Sequence, residues 1–165
     1  MICPVCGHDN LEGLDNCENC EADLRTVDIP RPTNAFEARM QVPLAALHPR
    51  RPDVVSPDTP AADAIARMRS GAIDCVLVGE AGRLAGIFTE RDAMLKLAGR
   101  PLEGVRVADA MTGDPVILRA DDTVAVAIHK MAVGGFRHIP VVDTSGAPTG
   151  IVSAVDVFRH MLALR

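Results

Sequence analysis

The sequence has no Trp and no Tyr, and only four Phe in 165 residues. Stacking of bases on aromatic side chains, the main device of single-strand nucleic-acid binders, is therefore largely excluded. Any core must be built from Val, Ile, Leu, Met and Ala. Lysine is nearly missing too: of 17 basic residues, 15 are Arg. The available cations are planar forks suited to phosphate or carboxylate. No run of 18 apolar residues occurs, so no segment reads as a membrane-spanning helix. The opening MICPVCGHDN lacks the basic region and apolar stretch of a secretory leader. That predicts a cytoplasmic chain whose thiols stay reduced. What remains is 48% hydrophobic and 24% charged, with a formal net charge of −5. The profile is globular, with room for one domain or two small ones.

Four of the five cysteines, Cys3, Cys6, Cys17 and Cys20, form two C-x2-C pairs separated by ten residues. Two such pairs offer four thiolates to one tetrahedral metal, and soft sulfur suits zinc or iron. The start CPVCG resembles a rubredoxin, but the gap is short and the aromatics around such an iron are missing, which favours zinc. Four cysteines close the coordination shell, so the metal is structural and not catalytic. So short a segment has no core of its own, and metal binding should supply its folding energy, on the order of 10 kcal/mol or more. Residues 1–24 are read as a zinc ribbon. Gly7 permits a tight turn after the first pair, whereas Glu21 holds the matching place after the second. His8 reads as an exposed loop residue, and Cys75, inside an apolar run, as a buried small hydrophobe. Residues 1–24 contain six acids (Asp9, Glu12, Asp15, Glu18, Glu21, Asp23) and no Lys or Arg. Phosphate neutralisation needs the opposite sign. The ribbon is expected to meet a protein partner, with nucleic acid disfavoured.

Residues 25–43 read as a linker with a short docking helix, punctuated by Pro30, Pro32 and Pro43. Phe36, Met40, Leu44 and Leu47 are spaced for one helical face, although Pro43 interrupts it. Beyond the linker the chain repeats itself. A shift of 63 superposes Pro52 on Pro115, Ile65 on Ile128, Met68 on Met131 and Val78 on Val141. After a one-residue insertion, Gly86 meets Gly150 and Asp92 meets Asp156. Such self-similarity is a strong architectural signal. The copies are assigned to residues 44–106 and 107–165.

Each copy reads as strand, helix, strand, turn, strand, helix. The strands are Val54-Val55, Cys75–Val78 and Leu84–Phe88 in one, and Val116–Leu118, Ile139–Val142 and Thr149–Val152 in the other. Helical spacing marks Ala61, Ala64, Ile65, Met68 and Val124, Ala127, Ile128, Met131. Thr59-Pro60 reads as a cap followed by Pro at the first helical position. About 50 residues bury too little surface to stand alone, so the copies should share one core. The predicted fold is α/β (α+β): two β-α-β-β-α repeats packed with pseudo-twofold symmetry, preceded by a small four-cysteine zinc ribbon.

The informative junctions are G-I-F-T-E-R-D (Gly86–Asp92) and G-I-V-S-A-V-D (Gly150–Asp156). Thr89 with Asp92, and Ser153 with Asp156, have the spacing of capping boxes. The same geometry offers free amides and a positive dipole to phosphate, and an Asp one turn in can accept from ribose hydroxyls. Both readings stand at this point.

These motifs, with G-G-F-R-H-I-P-V-V-D (Gly134–Asp143) and V-A-D-A-M-T (Val107–Thr112), make residues 44–165 resemble a tandem pair of cystathionine β-synthase (CBS) domains, a Bateman module. The resemblance implies a regulatory, non-catalytic protein that binds an adenosine-containing ligand such as AMP, ADP, ATP or S-adenosylmethionine in clefts between the repeats. It implies that Thr89, Asp92, Ser153 and Asp156 contact phosphate and ribose. It puts Ile139, with Val76 as its counterpart, at an adenine slot, and Arg137 and His138 near phosphate. Asp74 and Cys75 stand in the first repeat where Arg137 and His138 stand in the second, so the second cleft is favoured for a charged nucleotide. A homodimer is implied by the resemblance alone. No nucleophile–base pair or open metal site stands out, and the isolated His48, His129 and His160 suggest no catalysis. The alternatives are a ligand-free dimerisation scaffold and a nucleic-acid-associated regulator acting through the ribbon.

Overall fold

The computed structural model describes residues 2–11, 14–24 and 32–162. Residues 25–31 of the predicted linker, Pro30 among them, lie outside the described residues. The chain divides into two compact units, Met1–Ala35 and Phe36–Arg165.

In the larger unit the middle strand of each copy is an unbroken apolar run, as expected of a strand covered on both faces. Helix α1 (Ala35–Met40) and a 3-10 turn (Leu44–Leu47) lead into β1 (Val54–Val55), α2 (Ala61–Gly71), β2 (Cys75–Glu80) and β3 (Arg83–Thr89). Helix α3 (Glu90–Asp92) continues as a π turn over Ala93–Leu97. A second 3-10 turn (Val107–Asp109) precedes β4 (Thr112–Gly113), α4 (Val124–Gly134), β5 (His138–Val142), β6 (Pro148–Ser153) and α5 (Ala154–Met161). Strands β1 to β4 form one sheet in sequence order, with β1 parallel to β2 and the rest antiparallel; β5 and β6 form a hairpin. Among the described residues no helix is long and apolar enough to cross a membrane.

Four expectations change. The strand predicted at Val116–Leu118 shrinks to a single parallel bridge, Leu118 with Val141. Val116 lines a cleft instead. At the start of α2 the N-cap is Pro60, with no side-chain cap, and Thr59 contributes only its backbone, its carbonyl accepting from the Val107 N–H at 2.8 Å. In the second copy the equivalent position is Thr123, and there a hydroxyl does cap the helix. The helical face predicted across the linker splits at Pro43, leaving Phe36 exposed and Leu44 fully buried. The single shared core resolves into two cores, one per repeat, joined by a thin layer of Cys75, Leu77, Ile87 and Ile151.

The repeats also exchange their leading segments. Leu44 packs in the second repeat's core with Leu118, Val124 and Ile139. Val107 and Ala110 pack in the first repeat's core with Val76 and Phe88. The bridges Pro43–Thr123 and Pro60–Arg106 are the same contact seen twice through the shift of 63. This explains the matched glycines. A Cβ on Gly86 would lie 2.9 Å from the Thr112 carbonyl oxygen, and one on Gly150 would lie 2.7 Å from Pro49 Cβ. Each glycine admits the close approach of the other repeat's leading segment, Met111 and Thr112 at Gly86 and Pro49 at Gly150.

Candidate functional site

Among the described residues, chemistry-bearing side chains gather in two places: the cysteine cluster and the cleft at the strand-to-helix junctions.

The cysteine unit is built twice over. The Cys3 N–H donates to the His8 carbonyl and the Gly7 N–H to the Cys3 carbonyl, at 2.8 and 2.9 Å; fourteen residues on, Cys17, Ala22 and Glu21 repeat both bonds at the same distances. Glu21 adopts the left-handed φ of 57° that Gly7 adopts at 74°, a conformation costing a side-chain-bearing residue roughly 1–2 kcal/mol. The turns bring the four sulfurs together. Cys3 and Cys20 Sγ are 3.7 Å apart, as are Cys6 and Cys17. A tetrahedral metal with metal–sulfur bonds of about 2.3 Å spaces its sulfurs about 3.8 Å apart, so the four thiols fit one ion. Burial acts to raise the Cys17 thiol, but the Asn19 and Cys20 N–H groups outweigh it and bring it down to about 6. His8 is exposed and stands outside the cluster.

A cleft of about 800 Å³ opens in the larger unit. Both junctions reach it: Thr89 and Asp92 from the first repeat, Ser153 from the second. Arg137 and His138 also line it, whereas Ile139 and Asp156 do not. Ile139 is fully buried in the second repeat's core, so its side chain offers no adenine slot. Val76, its counterpart, is fully buried in the first. The π turn places Met94 and Leu95 on the cleft wall, largely exposed.

Both junctions are capping boxes. Thr89 N–H and hydroxyl donate to Asp92 Oδ2 at 3.0 and 2.7 Å, and the Asp92 N–H donates back to Thr89 Oγ1. Ser153 and Asp156 reproduce the set at 2.8, 2.7 and 3.2 Å. The two carboxylates then differ. Asp92 Oδ1 is taken by Lys96 Nζ at 2.8 Å and by the Thr112 hydroxyl at 3.1 Å. Asp156 has no further partner among the described residues, so one of its oxygens is uncommitted. Lys96, four residues after Asp92, is legible as an i,i+4 pair. Thr112 is brought to Asp92 only by the exchanged segment.

Burial acts to raise the Asp92 carboxyl, but the Lys96 ammonium and the Thr89 donors outweigh it and hold it below the usual carboxylate range. A carboxyl lowered in the folded state adds stability that is present above its unfolded value, near pH 4, and lost as pH falls through the folded value. Urea unfolding should show stability falling below about pH 4. In Asp92→Asn it should be lower at pH 7 and its acid dependence shallower. Equal slopes in both proteins would contradict this account.

The basic residues are unequally engaged. His138 Nε2 lies 2.6 Å from Asp74 Oδ2, and Arg50 Nη2 lies 3.2 Å from Asp74 Oδ1. The acid expected to repel phosphate in the first repeat is therefore paired, and it pairs with the very histidine assigned to phosphate. Arg91 donates to the Gly135 carbonyl at 3.2 Å. Arg137 is exposed, and its guanidinium has no partner among the described residues. His160 bonds the Arg39 carbonyl at 3.1 Å, and His48 and His129 are exposed and stand apart.

The family model of the CBS domain matches residues 45–99 and again 107–163. A CBS domain-containing protein of Arabidopsis thaliana, CBSCBSPB3, is 27% identical over 113 residues, 67% of this chain and 20% of that protein. The chain thus spans about a fifth of that relative's length. A solved CBS-domain-containing protein from Agrobacterium tumefaciens is 31% identical with a TM-score of 0.63, covering 72% of this chain and 98% of that one. A CBS domain protein from Pyrobaculum aerophilum, solved in complex with AMP, shares the fold at 21% identity and a TM-score of 0.67, covering 74% of this chain and 98% of its own.

Proposed function

The chain belongs to the CBS domain family, and from that premise we propose that residues 44–165 form a non-catalytic regulatory module that senses an adenosine-containing ligand. The observation that carries this reading is the cleft itself. Two strand-to-helix junctions, each ending in a hydroxyl and helix amides, reach one cavity that also holds Arg137, unpaired among the described residues. Helix N-termini and a guanidinium favour phosphate. Asp156 stands just behind Ser153, outside the cleft lining, and on this proposal its uncommitted oxygen accepts from ribose hydroxyls that reach past Ser153; Asp92 lines the cleft but is committed to Lys96 and Thr112. Of the residues assigned from sequence, Ser153, Asp156, Arg137 and Thr89 carry the ligand on this proposal; His138 contributes through Asp74, and Ile139 only through its backbone. That AMP is bound by a protein of the same fold supports the ligand class.

The zinc ribbon over residues 1–24 is proposed to pass the ligand's effect to an acidic-surface-reading protein partner, in a cytoplasmic homodimer. Its six acids oppose a nucleic-acid role. A ligand can drive such signalling only through unequal affinity for two states of the module.

A thermal-shift panel of AMP, ADP, ATP and S-adenosylmethionine tests the reading. A ligand at about 100 times its dissociation constant should stabilise the fold by roughly 2.7 kcal/mol. In Asp156→Ala the capping loss lowers the ligand-free melting point, so the comparison is the ligand-induced increment, which should largely vanish. No shift with any of the four would leave the ligand-free dimerisation scaffold as the better reading, and sedimentation would then have to show a dimer.

A further inference from the structure

Cys75 and His138 are the same position seen through the shift of 63. Each begins the middle strand of its repeat, Cys75 opposite Thr89 and His138 opposite Ser153. The pseudo-twofold arrangement brings these two strand ends together, and Asp74 joins them. One oxygen of Asp74, the Cys75 sulfur and one ring nitrogen of His138 all lie within 4.8 Å of one another.

We propose that Asp74, Cys75 and His138 form a second metal site, distinct from the cysteine cluster, for a zinc-class divalent cation. With bonds of about 2.0–2.3 Å, a tetrahedral zinc sets its ligand atoms about 3.4–3.7 Å apart. The Asp74–His138 contact of 2.6 Å would open by a little under ~1 Å, and the sulfur, within 4.8 Å of both, would close in by at most a little over ~1 Å. One thiolate, one imidazole and one carboxylate form a borderline-soft set that selects zinc or cobalt over magnesium or calcium. Cys75 is fully buried and the His138 side chain is only 13% exposed, so two of the three donors start largely desolvated, while Asp74, 45% exposed, faces solvent. Three protein ligands leave a fourth position, and Asp74 and His138 line the cleft, so that position opens to it. Neither repeat holds the set alone; the ion would bind the two repeats to each other.

The Arg50 guanidinium now occupies the neighbourhood as a resident cation, 3.2 Å from Asp74 Oδ1 and 3.8 Å from the Cys75 sulfur. It is a half-exposed, long side chain that can withdraw to solvent. Its presence gives the test a direction that a merely structural cluster would not have. The proposal is independent of the nucleotide reading.

The 165-residue chain, stripped of metal and titrated with Co²⁺, provides the experiment. Two equivalents are expected. The first has the intense sulfur-to-cobalt bands of four thiolates. The second has a weak band of one thiolate. Cys75→Ser and His138→Gln should each remove the second equivalent and leave the first intact. Arg50→Ala should bind the second at least about tenfold tighter, because a like charge a few ångströms away is gone. A single equivalent in the unaltered protein overturns the proposal, as does a second equivalent that survives both Cys75→Ser and His138→Gln. If Cys75→Ser fails to fold, the His138→Gln and Arg50→Ala proteins decide between these outcomes.

Discussion

Chelating the zinc proposed for the cysteine cluster should unfold residues 2–11 and 14–24 as a unit. Within that segment the buried apolar residues are Cys3, Cys17 and Leu24, with Ala22 packed against them. Burying so few side chains yields a few kcal/mol at about 1.5–3 kcal/mol each. That falls well short of the conformational entropy lost when the described residues of the segment are ordered. Structural zinc supplies roughly 10–16 kcal/mol in comparable small sites, and an ion bound by the four thiols would hold the two knuckles that the backbone bonds of Cys3 and Cys17 begin. Cys3→Ser removes a ligand that is 1% exposed and should act like chelation. The readout is hydrogen exchange of the amides that the knuckles protect: Cys3, Gly7, Cys17, Glu21 and Leu24. All should exchange at unprotected rates after chelation or in Cys3→Ser, and metal analysis should find zinc in the untreated protein. Protection that persists without metal would mean the segment is held by something other than the ion. A red, iron-loaded protein would overturn zinc as the ion.

Leu44→Ala should cost about 2–5 kcal/mol, the range for truncating a large buried aliphatic side chain. Leu44 is fully buried although it lies ahead of the first repeat's strands, in a 3-10 turn of four residues. Its N–H donates to the Asp122 carbonyl at 2.8 Å, and the Val124 N–H donates to the Val42 carbonyl at 2.9 Å. The turn therefore continues the second repeat's structure and fills its core. The loss should appear in the amides of β5, β6 and α4 before those of β1 to β3. Phe36→Ala, on the same predicted helical face but exposed, should change stability by less than about 0.5 kcal/mol. Urea denaturation gives the magnitude and residue-resolved hydrogen exchange gives the place. A cost below about 1 kcal/mol, or a loss confined to β1–β3, would mean that the exchanged segment does not support the second repeat.

These two expectations differ in how far the sequence leads to them. The cysteine cluster is legible because the gathering of thiols by C-x2-C is a local matter. Two residues between thiols fix a knuckle, and ten between pairs let the knuckles face each other. The symmetry of the knuckles themselves, Gly7 with Glu21, is visible in the sequence only as an imperfect match. The docking turn is legible as an apolar spacing, but its destination is not. Pro43 divides the face, and nothing local distinguishes a side chain bound for the first core from one bound for the second.

The cleft is a similar mixture. The capping boxes of Thr89–Asp92 and Ser153–Asp156 follow from spacing within one helical turn, and both form. That the cleft gathers Thr89, Ser153 and Arg137 follows from the repeat only in outline. Their unequal engagement does not follow at all. Asp92 is committed by Thr112, twenty residues away, and His138 by Asp74, sixty-four residues away. The Val116–Ile117 segment fails as a strand because alternation cannot say whether a neighbouring strand has room for a partner.

Legible from sequence alone were the four clustered cysteines, the doubled order of strands and helices apart from the second copy's leading strand, the apolar middle strands and the two capped junctions. Each depends on residues within a turn or a repeat unit of one another, where spacing and side-chain chemistry are sufficient. Only the tertiary structure decided which leading segment fills which core, which aspartate keeps an uncommitted oxygen, and that Cys75 and His138 meet. Those outcomes depend on side chains far apart in the chain competing for the same partner, and that competition is settled by packing and charge in space, which no local pattern encodes.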